Sequence, residues 1–284
     1  MNQSESKIKS ASITNTVAFI AVLAINALAN ALPINGVTTG QLSDEIPNLF
    51  VPAGLTFSIW GLIYLLLAGH TFYTLRETLG KGGVGNGVSE SDAVVLRLNY
   101  TSNIIWILAW QYRRVEFAMI FMLVILGTLI GLELSIQKKL APGGALAIDP
   151  NRGGSTRSAK ARRFFLTVPI RVYLGWISVA TIANVTALLV KLNWNEWGVD
   201  PRVWTVIVIA AGLAVALGFS ILRREIAAPL VVVWAYAGIV IKRTQVDAGY
   251  SRAVWIAALV SAIIILVSIA VARRPRSAQG TARA

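Results

Sequence analysis

The residues best suited to chemistry in this chain are indoles and amides at helical spacing inside apolar runs. Phe57, Trp60 and Tyr64 stand at i, i+3 and i+7. Asn99, Asn103, Trp106 and Trp110 stand at i, i+4, i+7 and i+11, and Tyr173, Trp176, Ala180 and Asn184 repeat an aromatic-then-amide face. Each set shares one side of a helix. Indole faces offer apolar area and stacking, and amides hydrogen-bond a polar edge, so together they suit a flat hydrophobic ligand. Taken singly, each residue also has a structural reading: aromatics pack helices or line interfacial belts, and amides pin helices together.

Other chemistries lack their residues. No Ser/His/Asp set, HExxH motif, carboxylate pair or phosphate loop is present, and a hydrolase or transferase is not expected. Gly82-Gly83-Val84-Gly85 has no strand before it. Cysteine is absent, which excludes disulfides and thiolate metal sites. His70, the only histidine, would leave a haem site incomplete. Arg171 and Glu133 are odd charges within apolar runs. An ion pair is the expectation, with a ligand carboxylate as the other partner for Arg171.

The elements that must position these residues are membrane helices. The chain has 284 residues, 56% of them apolar, which marks an all-α integral membrane protein. Eight runs are expected to cross: Ile13–Ile34, Leu55–Arg76, Arg97–Tyr112, Glu116–Ile136, Phe164–Leu192, Val203–Leu222, Ile226–Ile241 and Ala253–Ala272. The first has small residues suited to leader cleavage at Ala27-Leu28-Ala29. Asn26 and Asn30, one turn apart, argue instead for a retained helix facing its neighbours. Residues 35–51, 80–91 and 137–163 read as loops, the last with seven cations suited to anionic headgroups.

A net charge of +13 invites a nucleic-acid partner, but no soluble basic domain exists to carry one. Cations gather at helix ends instead. With eight crossings, one side collects Lys7, Lys9, Arg76, Lys81, Arg97, the 137–163 cations, Arg223, Arg224 and the tail arginines. The other holds only Arg113, Arg114, Lys191, Arg202, Lys242, Arg243 and Arg252. That bias places both termini in the cytoplasm.

Three stretches carry a resemblance. Pro52, Trp60 and Tyr64, then Asn103-Ile-Ile-Trp106, then Tyr173-Leu-Gly-Trp-Ile-Ser-Val-Ala-Thr-Ile-Ala-Asn184 are similar to the entry loop and second, third and fifth helices of the TspO/MBR family, the translocator or tryptophan-rich sensory proteins. The resemblance covers about 13–193. It divides the chain into an N-terminal segment 1–12, a five-helix domain 13–193, a three-helix extension 194–273 and a basic tail 274–284.

The resemblance implies a TspO-like five-helix bundle and a cavity lined by Pro52, Phe57, Trp60, Tyr64, Asn99, Asn103, Trp106, Tyr173, Trp176, Ala180 and Asn184. Such a cavity would take a porphyrin, haem or sterol-like molecule. The location implied is a bacterial or archaeal cytoplasmic membrane. Two departures stand out: Val51 replaces the first proline of the loop, and Gly54 replaces an aromatic, so the lid is less aromatic. The expected function is membrane binding and sensing. A secondary transporter for a small hydrophobic solute, or light-dependent porphyrin breakdown through Trp60 and Trp176, are the alternatives. Expected partners are membrane lipid, the hydrophobic ligand and, as a homodimer, a second copy of the chain; no cofactor is required.

Overall fold

The computed structural model describes residues 3–80, 89–147 and 156–273. Among these, eight long helices and one short one build an all-α bundle: α1 (Gln3–Asn30), α2 (Thr39–Glu45), α3 (Ile59–Leu79), α4 (Glu90–Gln111), α5 (Val115–Leu140), α6 (Thr156–Lys191), α7 (Pro201–Leu217), α8 (Ala227–Val246) and α9 (Arg252–Ala272). Seven of the long helices are long and apolar enough to cross a membrane. Their outward residues, such as Ile20, Leu65, Phe72, Phe117, Ile120 and Val267, are exposed. Such a surface belongs in lipid rather than water.

The eighth long helix, α4, is too polar to qualify on composition. It lies between α1 and α5 and under α2, and its amides Asn99 and Asn103 are fully buried. The side of α4 that meets protein need not be apolar, because polar groups there find partners in protein instead of lipid.

Several helix ends differ from the sequence expectation. The N-terminal polar segment is helical from Gln3. The loop at 35–51 contains α2, started by a capping box in which Thr38 and Gln41 bond each other's backbone. Helix α4 starts at Glu90, capped by the Ser89 hydroxyl. The basic segment 137–163 is helical at both ends, since α5 runs to Leu140 and α6 begins at Thr156. Parts of the expected loops at 80–91 and 137–163, and the basic tail, fall outside the described residues. Asp200 caps α7 by accepting from Arg202 N at 2.8 Å. Hydrogen bonding from the Arg202 guanidinium holds the Asp200 carboxyl down to about 2, so the cap weakens only as pH falls through that value.

Ion pairs sort the helix ends onto two faces. On one face Lys139 meets Asp92, and Arg223 adds a hydrogen bond to the neutral Gln137. On the other, Arg113 bonds Glu45 at 3.0 Å, Lys191 bonds Glu116 at 2.9 Å, and Lys242 meets Asp44. Within the bundle, Arg171 on α6 grips Glu133 on α5 through two bonds of 2.9 and 3.0 Å. The expected pair is formed.

Helix α8 packs against α6 and the loop that enters α3 as well as against α9. A Cβ on Gly175 of α6 would lie 2.7 Å from the Cα of Ala228 on α8. A Cβ on Gly238 would lie 2.9 Å from Pro52 Cβ and closer still to Thr56. Only glycine allows these approaches. Glu225 fixes the start of α8 by accepting from the backbone N–H of Ala227 and Ala228, at 2.8 and 2.9 Å.

Thermal unfolding in detergent tests both this packing and the buried ion pair. Gly175→Val should destabilise the protein by about 3 kcal/mol, because the obstacle is backbone. Gly131→Ala, where nothing lies within 4 Å, should leave stability unchanged or slightly raised. Glu133→Leu should cost about 3–5 kcal/mol by stranding Arg171, and the double change with Arg171→Met should cost less than that single one.

Candidate functional site

The site begins with the loop that enters α3. Asn48 turns the chain by accepting from the N–H groups of Phe50 and Val51, both at 3.1 Å. After Pro52, Ala53 N–H donates to Gly238 O at 3.0 Å, and Trp234 Nε1 donates to Thr56 O at 2.9 Å. Both partners are on α8. A 3-10 turn, Gly54–Ser58, then leads into α3 and sets Trp60 near its first turn.

Trp60 is the hub of an aromatic cluster. Its ring stacks on Tyr64, with centroids 5.5 Å apart and planes at 20°. Trp106 lies 5.7 Å away, Tyr173 5.8 Å and Trp176 6.2 Å. Phe57 meets Trp176 edge-on at 5.9 Å. Amides tie this cluster to three helices. Asn26 on α1 donates to Asn103 Oδ1 at 2.9 Å, and Asn103 Nδ2 donates to the Tyr173 hydroxyl at 2.9 Å. Trp106 Nε1 donates to Asn184 Oδ1 at 3.2 Å. Trp176 is 2% exposed, yet its Nε1–H has no acceptor.

Beside the cluster lies an open cleft of about 650 Å³, lined by α1, α2 and the start of α3. Phe57, Trp60 and Tyr64 line it, with Asn26, Asn30 and Gln41 supplying amides. Asp44 is the single carboxylate in its described lining, which holds no Lys or Arg. Asn103, Trp106, Tyr173, Trp176 and Asn184 stand behind Trp60, tightly packed.

Three of the expected cavity residues do other work. Asn99 bonds Thr128 Oγ1 at 2.9 Å and Ile125 O at 3.2 Å, tying α4 to α5. Pro52 packs against Gly238 of α8. Ala180 offers its carbonyl to Asn184 Nδ2 at 2.9 Å. His70 is buried and stands ten residues, about 15 Å, along α3 from Trp60. Its Nδ1 donates to Phe165 O at 2.9 Å. Asn26, Asn30 and Gln41 join the cleft although no aromatic motif marked them; the polar i, i+4 pair on α1 was the available signal. Trp234 and Gly238, also one turn apart, had no such signal.

The sequence profile of the TSPO-like protein family matches residues 12–271. The chain belongs to that family. The matched stretch takes in α7, α8 and α9 as well as the five helices that carry the aromatic motifs. Comparison with curated proteins and with solved structures returned no match. In this TSPO-like protein the entry loop is therefore held by a helix that lies inside the family's matched stretch.

Trp234→Phe removes the bond from α8 to Thr56 O. Losing one such bond, about 1 kcal/mol, should speed local amide exchange roughly fivefold across 50–58. Hydrogen–deuterium exchange read by mass spectrometry checks this, with residues 120–130 as the unchanged reference.

Proposed function

We propose that this TSPO-like protein binds an uncharged, planar hydrophobic molecule in the cleft between α1, α2 and α3, as a membrane binding and sensory protein. The observation that carries this is the near-parallel pair Trp60 and Tyr64 on a cleft wall without Lys or Arg. A flat apolar body would stack on that wall, and Asn26, Asn30 and Gln41 would meet its polar edge.

Haem fits these residues poorly. The single histidine has its Nδ1 engaged with a backbone carbonyl and lies well away from the aromatic hub. Among the described residues no group of three His, Cys, Asp or Glu could hold a metal. The propionates of a free porphyrin would enter a cleft whose one lining charge is Asp44. A sterol-like molecule or an esterified porphyrin suits the lining better, since neither needs a cationic partner.

The face carrying the ends of α5 and α7 is read as cytoplasmic, because Lys138, Lys139, Arg223 and Arg224 crowd it. The cleft then opens near the opposite face, where α2 and the entry loop stand.

The test is a dark titration in nanodiscs with protoporphyrin dimethyl ester and with the free acid, following tryptophan quenching. The ester should bind saturably and more tightly than the acid. Trp60→Phe should weaken it by about tenfold, the scale of one good aromatic stack. Tighter binding of the acid, or indifference to Trp60→Phe, would overturn the reading.

A further inference from the structure

A second cavity, of about 730 Å³, lies where α6 and α8 end and α7 begins, beneath the entry loop. Helix α7 packs on α9 and touches α6 and α8 only sparsely, which leaves the space open. The apolar wall comes from Ile182, Val185 and Leu189 on α6 and Val208 on α7. From Thr181 to Val190 this wall is about 14 Å deep, close to half the hydrocarbon core. Its rim is continuous with lipid-facing surface, since Val185, Val203 and Ile207 are exposed.

The polar end carries both signs of charge. Arg243 is 6% exposed. Its Nη1 bonds Asp247 at 3.0 Å, but its Nε–H has no acceptor. A buried guanidinium with an unmet donor is costly unless something supplies an oxygen. Lys242 sits beside it, already paired with Asp44. Glu196 also lines the cavity, and no ion pair holds its carboxylate among the described residues. Trp194 and Trp204 stand next to it with ring centroids 5.2 Å apart. Glu196 and Trp197 take left-handed backbone at φ 55 and 53, a disfavoured state for such residues. Trp204 Nε1 holds this turn by donating to Glu196 O at 2.9 Å.

An unmet cationic donor, a free carboxylate with indole faces beside it, and an apolar wall one leaflet deep describe one kind of molecule. We propose that this cavity binds a zwitterionic phospholipid. Its phosphate accepts from Arg243, with Lys242 adding charge, its ammonium faces Glu196 and the tryptophans, and its first acyl carbons lie along Ile182, Val185 and Leu189. A purely anionic lipid would answer Arg243 but leave Glu196 repelling its head. A fatty acid would answer Arg243 but bring no ammonium to Glu196.

The test is native mass spectrometry of the full chain from nanodiscs holding equal phosphatidylethanolamine, phosphatidylglycerol and oleate, followed through stepwise delipidation. One phosphatidylethanolamine should persist, retained about tenfold over either competitor, the scale of one charged hydrogen bond. Arg243→Gln should reduce that retention by about tenfold, and Glu196→Gln should bring phosphatidylethanolamine and phosphatidylglycerol level. Val208→Trp, which crowds the apolar wall while leaving every charge in place, should reduce retention, with folding checked by thermal unfolding. Trp60→Phe, in the other cleft, should leave it unchanged. Equal retention of all three lipids, preference for oleate, or retention undiminished by Val208→Trp would overturn the proposal.

Discussion

The close approach of α8 to α6 and to the entry loop is the constraint on which the rest of this structure depends. Gly175 lets the α6 backbone reach Ala228, and Gly238 lets the loop around Pro52 and Thr56 lie against α8. Two hydrogen bonds from α8 then fix the loop: Gly238 O accepts from Ala53, and Trp234 donates to Thr56 O. Because that loop runs straight into α3, its position decides where Trp60 stands. Trp60 in turn meets four other aromatic rings. Contact between α8 and the loop backbone thus sets the geometry of the cleft wall.

The second organising feature is polar. In lipid, apolar burial alone gives helices little reason to associate, so specific bonds and tight packing decide who neighbours whom. The chain Asn26–Asn103–Tyr173 ties α1 to α4 and α4 to α6, and Trp106–Asn184 repeats the second link. Asn99 ties α4 to α5. Helix α4 can therefore lack a fully apolar span and still pack between α1 and α5. The NH2 groups of Asn99, Asn103 and Gln111 all donate to protein, and Val94 and Leu98 form its exposed apolar side.

Much of this was legible in the residues. Long apolar runs gave the spanning helices, and i, i+3, i+7 spacing placed Phe57, Trp60 and Tyr64 on one face. Family motifs brought Asn103, Trp106, Tyr173, Trp176 and Asn184 to the same cluster. Other features were hidden because their signals compete. The Thr38–Gln41 capping box sat in a stretch read as loop for its Pro and Gly flanks. The first turns of α4 and α6 carry charges that ended their apolar runs early, although a charged turn outside the core is no obstacle to helix. Asn99 shares its face with Asn103, yet one turn along α4 the neighbour changes from α6 to α5. The seam's period says which side is polar, not which helix will meet it. Nor does a single sequence say that Gly175 faces Ala228: close approach is a property of two surfaces.

The two cavities share a boundary. Asp44, at the end of α2, belongs to the lining of both, and it meets Lys242 on α8. The same α8 carries Trp234 and Gly238 below and Arg243 beside that contact. A molecule seated in either cavity therefore touches an element whose position the other depends on: α2 on one side, the end of α8 on the other. Helices α7 to α9 do not sit apart from the aromatic cluster as a separate unit would. They complete its entry loop, enclose the second cavity, and join the two through one carboxylate and one helix. The family profile's extension across them fits this physical interdependence.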